Sequence, residues 1–115
     1  MADFDFALRV RVDINRYESG EALLDRWLEE AEAAEGAEQA GLIQSVWKDV
    51  SEPVVYPVLR IEADDAMQAH AAVLEAFKGL PMGQDGALLL EHVAQVRLYS
   101  EWRQFLRQRR DSAAG

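Results

Sequence analysis

Apolar and polar side chains alternate along the first part of the chain. Phe4, Phe6, Leu8, Val10, Val12 and Ile14 fall on one side, and Asp3, Asp5, Arg9, Arg11 and Asp13 on the other. A period of two over this length predicts a strand with one buried face. After Ser19 the period changes. Leu23, Leu24, Trp27, Leu28, Ala31 and Ala34 recur at steps of three and four, the stripe of an amphipathic helix. Ser19 is placed to cap it, with Glu21 in its positively polarised first turn. Gly36 and Gly41 interrupt the stripe, so the helix is expected over about residues 20–35.

Residues 42–50 fit two periods. Leu42, Ile43, Val46, Trp47 and Val50 lie on a helical stripe, yet most of these side chains suit a strand by shape. A short Ser51-Glu52-Pro53 turn would fold the segment onto the next run as a hairpin. Strand is preferred because it supplies an immediate pairing partner. The following run is apolar on both sides, with Val55, Pro57, Leu59 and Ile61 on one and Val54, Tyr56 and Val58 on the other. Both of its faces should therefore be covered. Pro57, with no N–H to donate, points to an edge or a bulge.

Asp64 or Asp65 caps a second helix, with Gln68 at capping-box distance from Asp65. Its buried face reads Ala66, Ala69, Val73, Ala76, Phe77 and Leu80, and the glycine-rich run 79–86 forms its exit. A last strand is expected over about residues 88–99, with Leu88, Leu90, His92, Ala94, Val96 and Leu98 toward the core. From Ser100 a short helix follows, with Trp102, Phe105 and Leu106 on one side and arginines gathered at its end, where the helix dipole favours cations.

This order predicts an α+β fold of the ferredoxin-like βαββαβ kind: a four-stranded antiparallel sheet with two helices on one face, plus a C-terminal helix. The domain is expected to occupy residues 1–99, and residues 100–115 an amphipathic helix and disordered tail. The uncovered sheet face would show Val54, Tyr56, Val58, Leu89, Val93 and Tyr99 beside Arg9, Arg11, Arg60 and Arg97. A half-apolar face on a small domain usually meets something, and a second copy is the simplest candidate. Tyr99, Trp102 and Phe105 would join that seam.

The segment Gly41-Leu42-Ile43-Gln44-Ser45-Val46-Trp47-Lys48, the hairpin into Val58-Leu59-Arg60-Ile61-Glu62-Ala63-Asp64-Asp65, the alanine-rich helix and Leu80-Pro81-Met82 resemble the dimeric α+β barrel superfamily, muconolactone isomerase-like members in particular. The likeness spans roughly residues 40–98. It implies face-to-face pairing of sheets and, for many such proteins, small cofactor-free enzymes. No catalytic set of that family has counterparts in this chain.

Composition narrows the classes further. The 115 residues include no cysteine, which excludes disulfides, thiolate nucleophiles and cysteine-ligated metals and suits a cytoplasmic location. Met1 to Phe6 lack a basic leader, and no run approaches the ~20 apolar residues that cross a bilayer. Net charge is −9, which disfavours nucleic acid as a partner. The charge is uneven. Residues 18–38 hold eight carboxylates against Arg26 alone, and residues 97–110 hold five arginines against Glu101.

Candidate chemistry is sparse. His70 and His92 are the only histidines. If His70 on the second helix faces His92 on the last strand, the pair would share a proton near neutral pH, or hold a metal beside Glu91 or Asp65. The plain alternative is two histidines bonded to backbone at the core edge, and no metal-binding spacing supports the first view. Run 79–86 lacks the lysine and spacing of a phosphate loop, and no serine sits in a glycine elbow. Trp47, Tyr56, Met82 and Arg97 are the candidate ligand contacts, and no cofactor is implied. The expectations rank as a binding module, homodimeric through its open sheet face; then a cofactor-independent enzyme acting on a small aromatic or anionic molecule in a cavity beside the histidines; then an acidic inhibitor that covers a basic protein.

Overall fold

The structure, a computed structural model, describes residues 1–114, with side chains through Ala113. Four strands, β1 (Ala2–Val12), β2 (Ile43–Lys48), β3 (Val54–Ala63) and β4 (Leu88–Val96), form one antiparallel sheet in the order β2-β3-β1-β4. The long helices α1 (Gly20–Gln39) and α2 (Ala66–Gly79) lie over one face. A single-turn helix α3 (Pro81–Gln84) follows α2, and α4 (Tyr99–Ala114) follows β4. This is the ferredoxin-like sandwich that the alternation of periods predicts.

The core grows from the even-numbered side of β1. Phe6, Leu8 and Val10 are buried with Ile43, Leu59 and Ile61 of the sheet and Ala69 and Val73 of α2. Burying such side chains supplies ~1.5–3 kcal/mol each, the main stabilising contribution to a domain this small. A second cluster, Val12, Met82 and Ala87, sits at the far end of β1, with Leu23 and Trp27 of α1 packed against it.

Local signals explain the helix ends. The Ser19 side chain accepts from the Ala22 N–H at 3.1 Å, and Asp65 accepts from the Gln68 N–H at 2.8 Å. Helix α1 runs through Gly36, where the sequence pattern predicted a stop, because the carbonyls are closed further on. The Leu42 N–H reaches the Ala37 carbonyl and the Gly41 N–H reaches the Glu38 carbonyl, a Schellman end. Gly41 has φ +85°, the left-handed conformation that end requires and glycine adopts freely.

Two strand expectations are corrected. Pro57 lies in an inner strand rather than at an edge, buried and opposite Val46 of β2, and the β2–β3 register shifts beside it, between Ile43 and Ser45. It is accommodated where the β1–β3 ladder is interrupted, between the pairs Ala7↔Val58 and Val10↔Val55. In β4 a bulge inserts Glu91 between the pairs Arg9↔His92 and Val10↔Leu90. An extra residue reverses which side of the sheet each later side chain faces. Leu88 and Leu90 stay on the helix side, and Val93 joins them, packed on the core. His92, Ala94 and Val96 turn to the open face. Strand β4 ends at Val96, so Tyr99 belongs to α4.

Candidate functional site

The open face of the sheet is occupied by its own charges. Arg9 donates to Glu91 at 2.9 Å, to Glu52 at 3.2 Å and to the Tyr56 hydroxyl. Arg11 donates to the other oxygen of Glu91 at 2.9 Å and to Glu52 at 3.4 Å. The Tyr56 hydroxyl donates in turn to Asp49 at 3.1 Å. Asp49 also accepts from both the N–H and the hydroxyl of Ser51 and from the Glu52 N–H. These donors hold the Asp49 carboxylate down to about 2, the Ser51 N–H contributing most. Farther along, Arg60 grips Asp5 with two bonds of 2.9 and 3.1 Å.

Of the residues expected at an interface there, Val54 is fully covered within one protomer, Tyr56 and Val58 are half-buried, and Leu89 is exposed. Arg97 lies beside a shallow depression bordered by Val58, Arg60 and Val96. Trp47, on the edge strand β2, is 70% exposed. The two histidines stand on opposite faces of the sheet. His70 lies with its ring 6.2 Å from that of Phe6 on the helix side, and His92 pairs with Arg9 on the open side. They cannot share a proton. Met82, expected as a ligand contact, is instead wholly buried in the second core cluster. Among the described residues, no three side chains converge in a way that would hold a metal ion.

The cavity lies elsewhere, between α1 and the sheet. Although α1 carries a regular apolar stripe, none of its residues is fully buried, and Leu24 and Leu28 are 68% and 60% exposed. The helix stands off the strands and leaves a space of about 760 Å³, within the ~300–1,000 Å³ usual for small-molecule sites. Its floor is Val10, Val12, Val55, Pro57 and Leu59 of the sheet. Leu24, Trp27, Leu28, Ala31 and Ala34 form the helical wall, and Phe77 and Leu80 close one end. The ionisable side chains on it are Glu30, Glu35, Glu38 and Lys48. The Lys48 ammonium lies 5.4 Å from the centre of the Trp27 ring, within cation–π range.

A polar clamp holds α1 at this distance. Arg26 donates to both oxygens of Asp85 at 2.8 and 3.1 Å, to the Pro81 carbonyl at 2.9 Å and to Glu29 at 2.7 Å. The Tyr17 hydroxyl donates to Asp85 at 2.8 Å. Glu30 accepts the Met82 N–H at 2.8 Å, and burial raises its pKa. Asp85 is pulled below the usual carboxylate range, chiefly by Arg26. Tyr17 is pushed up to about 12, first by burial and then by Asp85. Because the folded state keeps this proton after the unfolded chain loses it near pH ~10, the contribution of Tyr17 is complete below pH ~10 and is lost as pH rises toward 12. In Asp85→Asn, the ultraviolet titration of Tyr17 should move down toward 10 without reaching it, since the burial remains. An unchanged titration would show that Asp85 does not hold that hydroxyl.

No protein-family model and no curated protein matches this chain. The fold is compatible with the ferredoxin-like plan, and nothing beyond the fold ties the chain to the dimeric barrels or the muconolactone isomerase-like enzymes. Among the described residues, no helix is long and apolar enough to cross a membrane.

Sequence reasoning missed this site. Trp27, Leu24 and Leu28 read as an ordinary helical stripe, and Asp85 falls in the glycine-rich run 79–86, which read as a connecting turn. The available signal was Arg26, the single cation among eight carboxylates in residues 18–38.

Proposed function

We propose that this chain is a binding module whose ligand is a small apolar molecule, neutral or with a cationic head, held between α1 and the sheet. The observation that carries this reading is the cavity of about 760 Å³ with an almost wholly aliphatic and aromatic lining. Three carboxylates against one ammonium border it, which favours a positive head group over a negative one. The enzyme reading fares worse, because the lining holds no histidine, hydroxyl or amide side chain. General acid–base chemistry there would rest on Glu30, Glu35, Glu38 or Lys48 alone.

The test is a titration with the neutral fluorophore N-phenyl-1-naphthylamine, followed by displacement with dodecyltrimethylammonium and with decanoate. One saturable site is expected, displaced by the ammonium compound at lower concentration than by the carboxylate. Ala34→Phe, which fills the space from the helical wall, should weaken probe binding at least tenfold with little change in melting temperature. Absence of saturable binding, or full binding by Ala34→Phe, would overturn the reading.

A second reading is self-association through the open sheet face, favoured by the half-buried Val58 and the exposed Leu89 and Val96 there. It is weakened by the pairing of Arg9, Arg11 and Tyr56 inside one protomer. The acidic surface of α1 would equally suit a basic protein, the third reading drawn from the sequence.

A further inference from the structure

Helix α4 is a long element with no buried side chain among its described residues. Every described side chain from Tyr99 to Ala113 is exposed, and the molecule is 64 Å long but only 30 and 23 Å across. Yet α4 is amphipathic. Trp102, Phe105 and Leu106 share one side, with the rings of Trp102 and Phe105 stacked at 5.2 Å. A lone helix of 16 residues is marginal in water, and helices of this kind gain their stability by burying the apolar stripe.

The α1 surface at the cavity mouth is complementary to it. Leu24 and Leu28 stand exposed on α1, and at helical spacing Glu21, Asp25 and Glu32 lie on their outward flank. None of these three carboxylates takes part in an ion pair among the described residues, and neither Arg103 nor Arg107 of α4 does. On α4, Arg103, Arg107 and Arg110 flank the Trp102–Leu106 stripe on one side. Arg109 lies over the Phe105 ring at 5.9 Å. Each helix thus presents an apolar strip with charge of one sign along one flank, and on those flanks the signs are opposite.

The chain's own α4 is poorly placed to meet that surface. It leaves the sheet from edge strand β4 after a two-residue link, residues 97 and 98, whereas the cavity is lined by Ile43, Val46 and Lys48 of the opposite edge strand, β2. Three strand spacings, roughly 14 Å, separate the two edges.

We infer that α4 of a second copy seats on α1 across the cavity mouth, with Trp102 and Leu106 against Leu24 and Leu28 and the arginines against Glu21, Asp25 and Glu32. Exchange in both directions gives a closed two-fold dimer, and each ligand space is then roofed by the partner's helix. The inference adds a partner to the site proposed above but rests on surface residues, so mass and ligand binding test the two separately.

The experiment is light scattering on the full chain in low salt. Twice the protomer mass of 12.9 kDa is expected, falling to the protomer value in Trp102→Glu/Leu106→Glu. Arg103→Glu/Arg107→Glu should also fall to the protomer value, and adding Asp25→Lys/Glu32→Lys should restore the doubled mass. Tyr56→Asp/Val58→Asp should stay doubled. A monomeric parent, a helix variant that keeps the doubled mass, or dissociation only in the sheet-face variant would each overturn the inference. A dimer that fails to bind the naphthylamine probe would sink the ligand reading and leave this one standing.

Discussion

Gly83→Ala lowers the melting temperature by roughly 10–20 °C, the largest effect expected from removing or adding a single methyl group in this chain. A Cβ on Gly83 would overlap the carbonyl oxygen of Phe77, with the Phe77 carbonyl carbon only 2.7 Å away. Both are backbone atoms near the end of α2, so no side chain can swing aside. Relief requires moving α3 relative to α2, and α3 is where α1 is clamped. A forced backbone shift of this kind costs ~3 kcal/mol or more, out of a total stability of ~5–15 kcal/mol for a domain of this class. At ~4 °C per kcal/mol that gives the stated shift. Gly79→Ala is the control. Nothing lies within 4 Å of a Cβ built there, so it should be neutral or stabilising by up to ~1 kcal/mol. Equal melting temperatures for the two variants would show that a Cβ at position 83 is accepted without displacing α3 from α2.

Met82→Ala is expected to cost ~2–5 kcal/mol by urea unfolding, the range for truncating a fully buried side chain that leaves a cavity. Met82 has no exposed surface, and Val12 and Ala87 complete its cluster. The loss should not stay local. The Met82 N–H is held by Glu30, and the neighbouring Pro81 carbonyl by Arg26, so loosening the turn frees the helix above the cavity. Hydrogen exchange should accordingly rise more in α1 than in α2, whose Ala69 and Val73 are buried in the other cluster. Met82→Leu, which nearly conserves volume, should cost less than ~1.5 kcal/mol. Equal loss of protection in both helices would mean that the turn does not specifically secure α1.

Both expectations converge on residues 81–86. The turn is a structural tie, and through the tie it sets the depth of the cavity. Asp85 and Arg26 meet across 59 residues of sequence. Their geometry, two bonds from one guanidinium to one carboxylate, fixes direction as well as distance.

Much of the architecture is legible in the residues themselves because it follows from local periods. The alternation from Phe4 to Val12 determines strand β1 and its buried side. The three-and-four spacing from Leu23 to Ala34 determines a helix with one apolar stripe, and Ser19 and Asp65 mark where helices begin because each supplies an acceptor to an otherwise unpaired N–H. The order of these elements, with a tight turn at Ser51 to Pro53, is enough for the ferredoxin-like plan. Tertiary structure alone decided the rest. The side of β4 on which His92 and Val93 lie depends on a bulge at Glu91, which arises from pairing with β1 and leaves no trace in the period of β4 alone. The stripe on α1 states which side turns toward the sheet but not how near the helix comes. That distance is set by Arg26, Asp85 and Glu30 meeting a distant turn, and so the cavity exists only once the chain is folded.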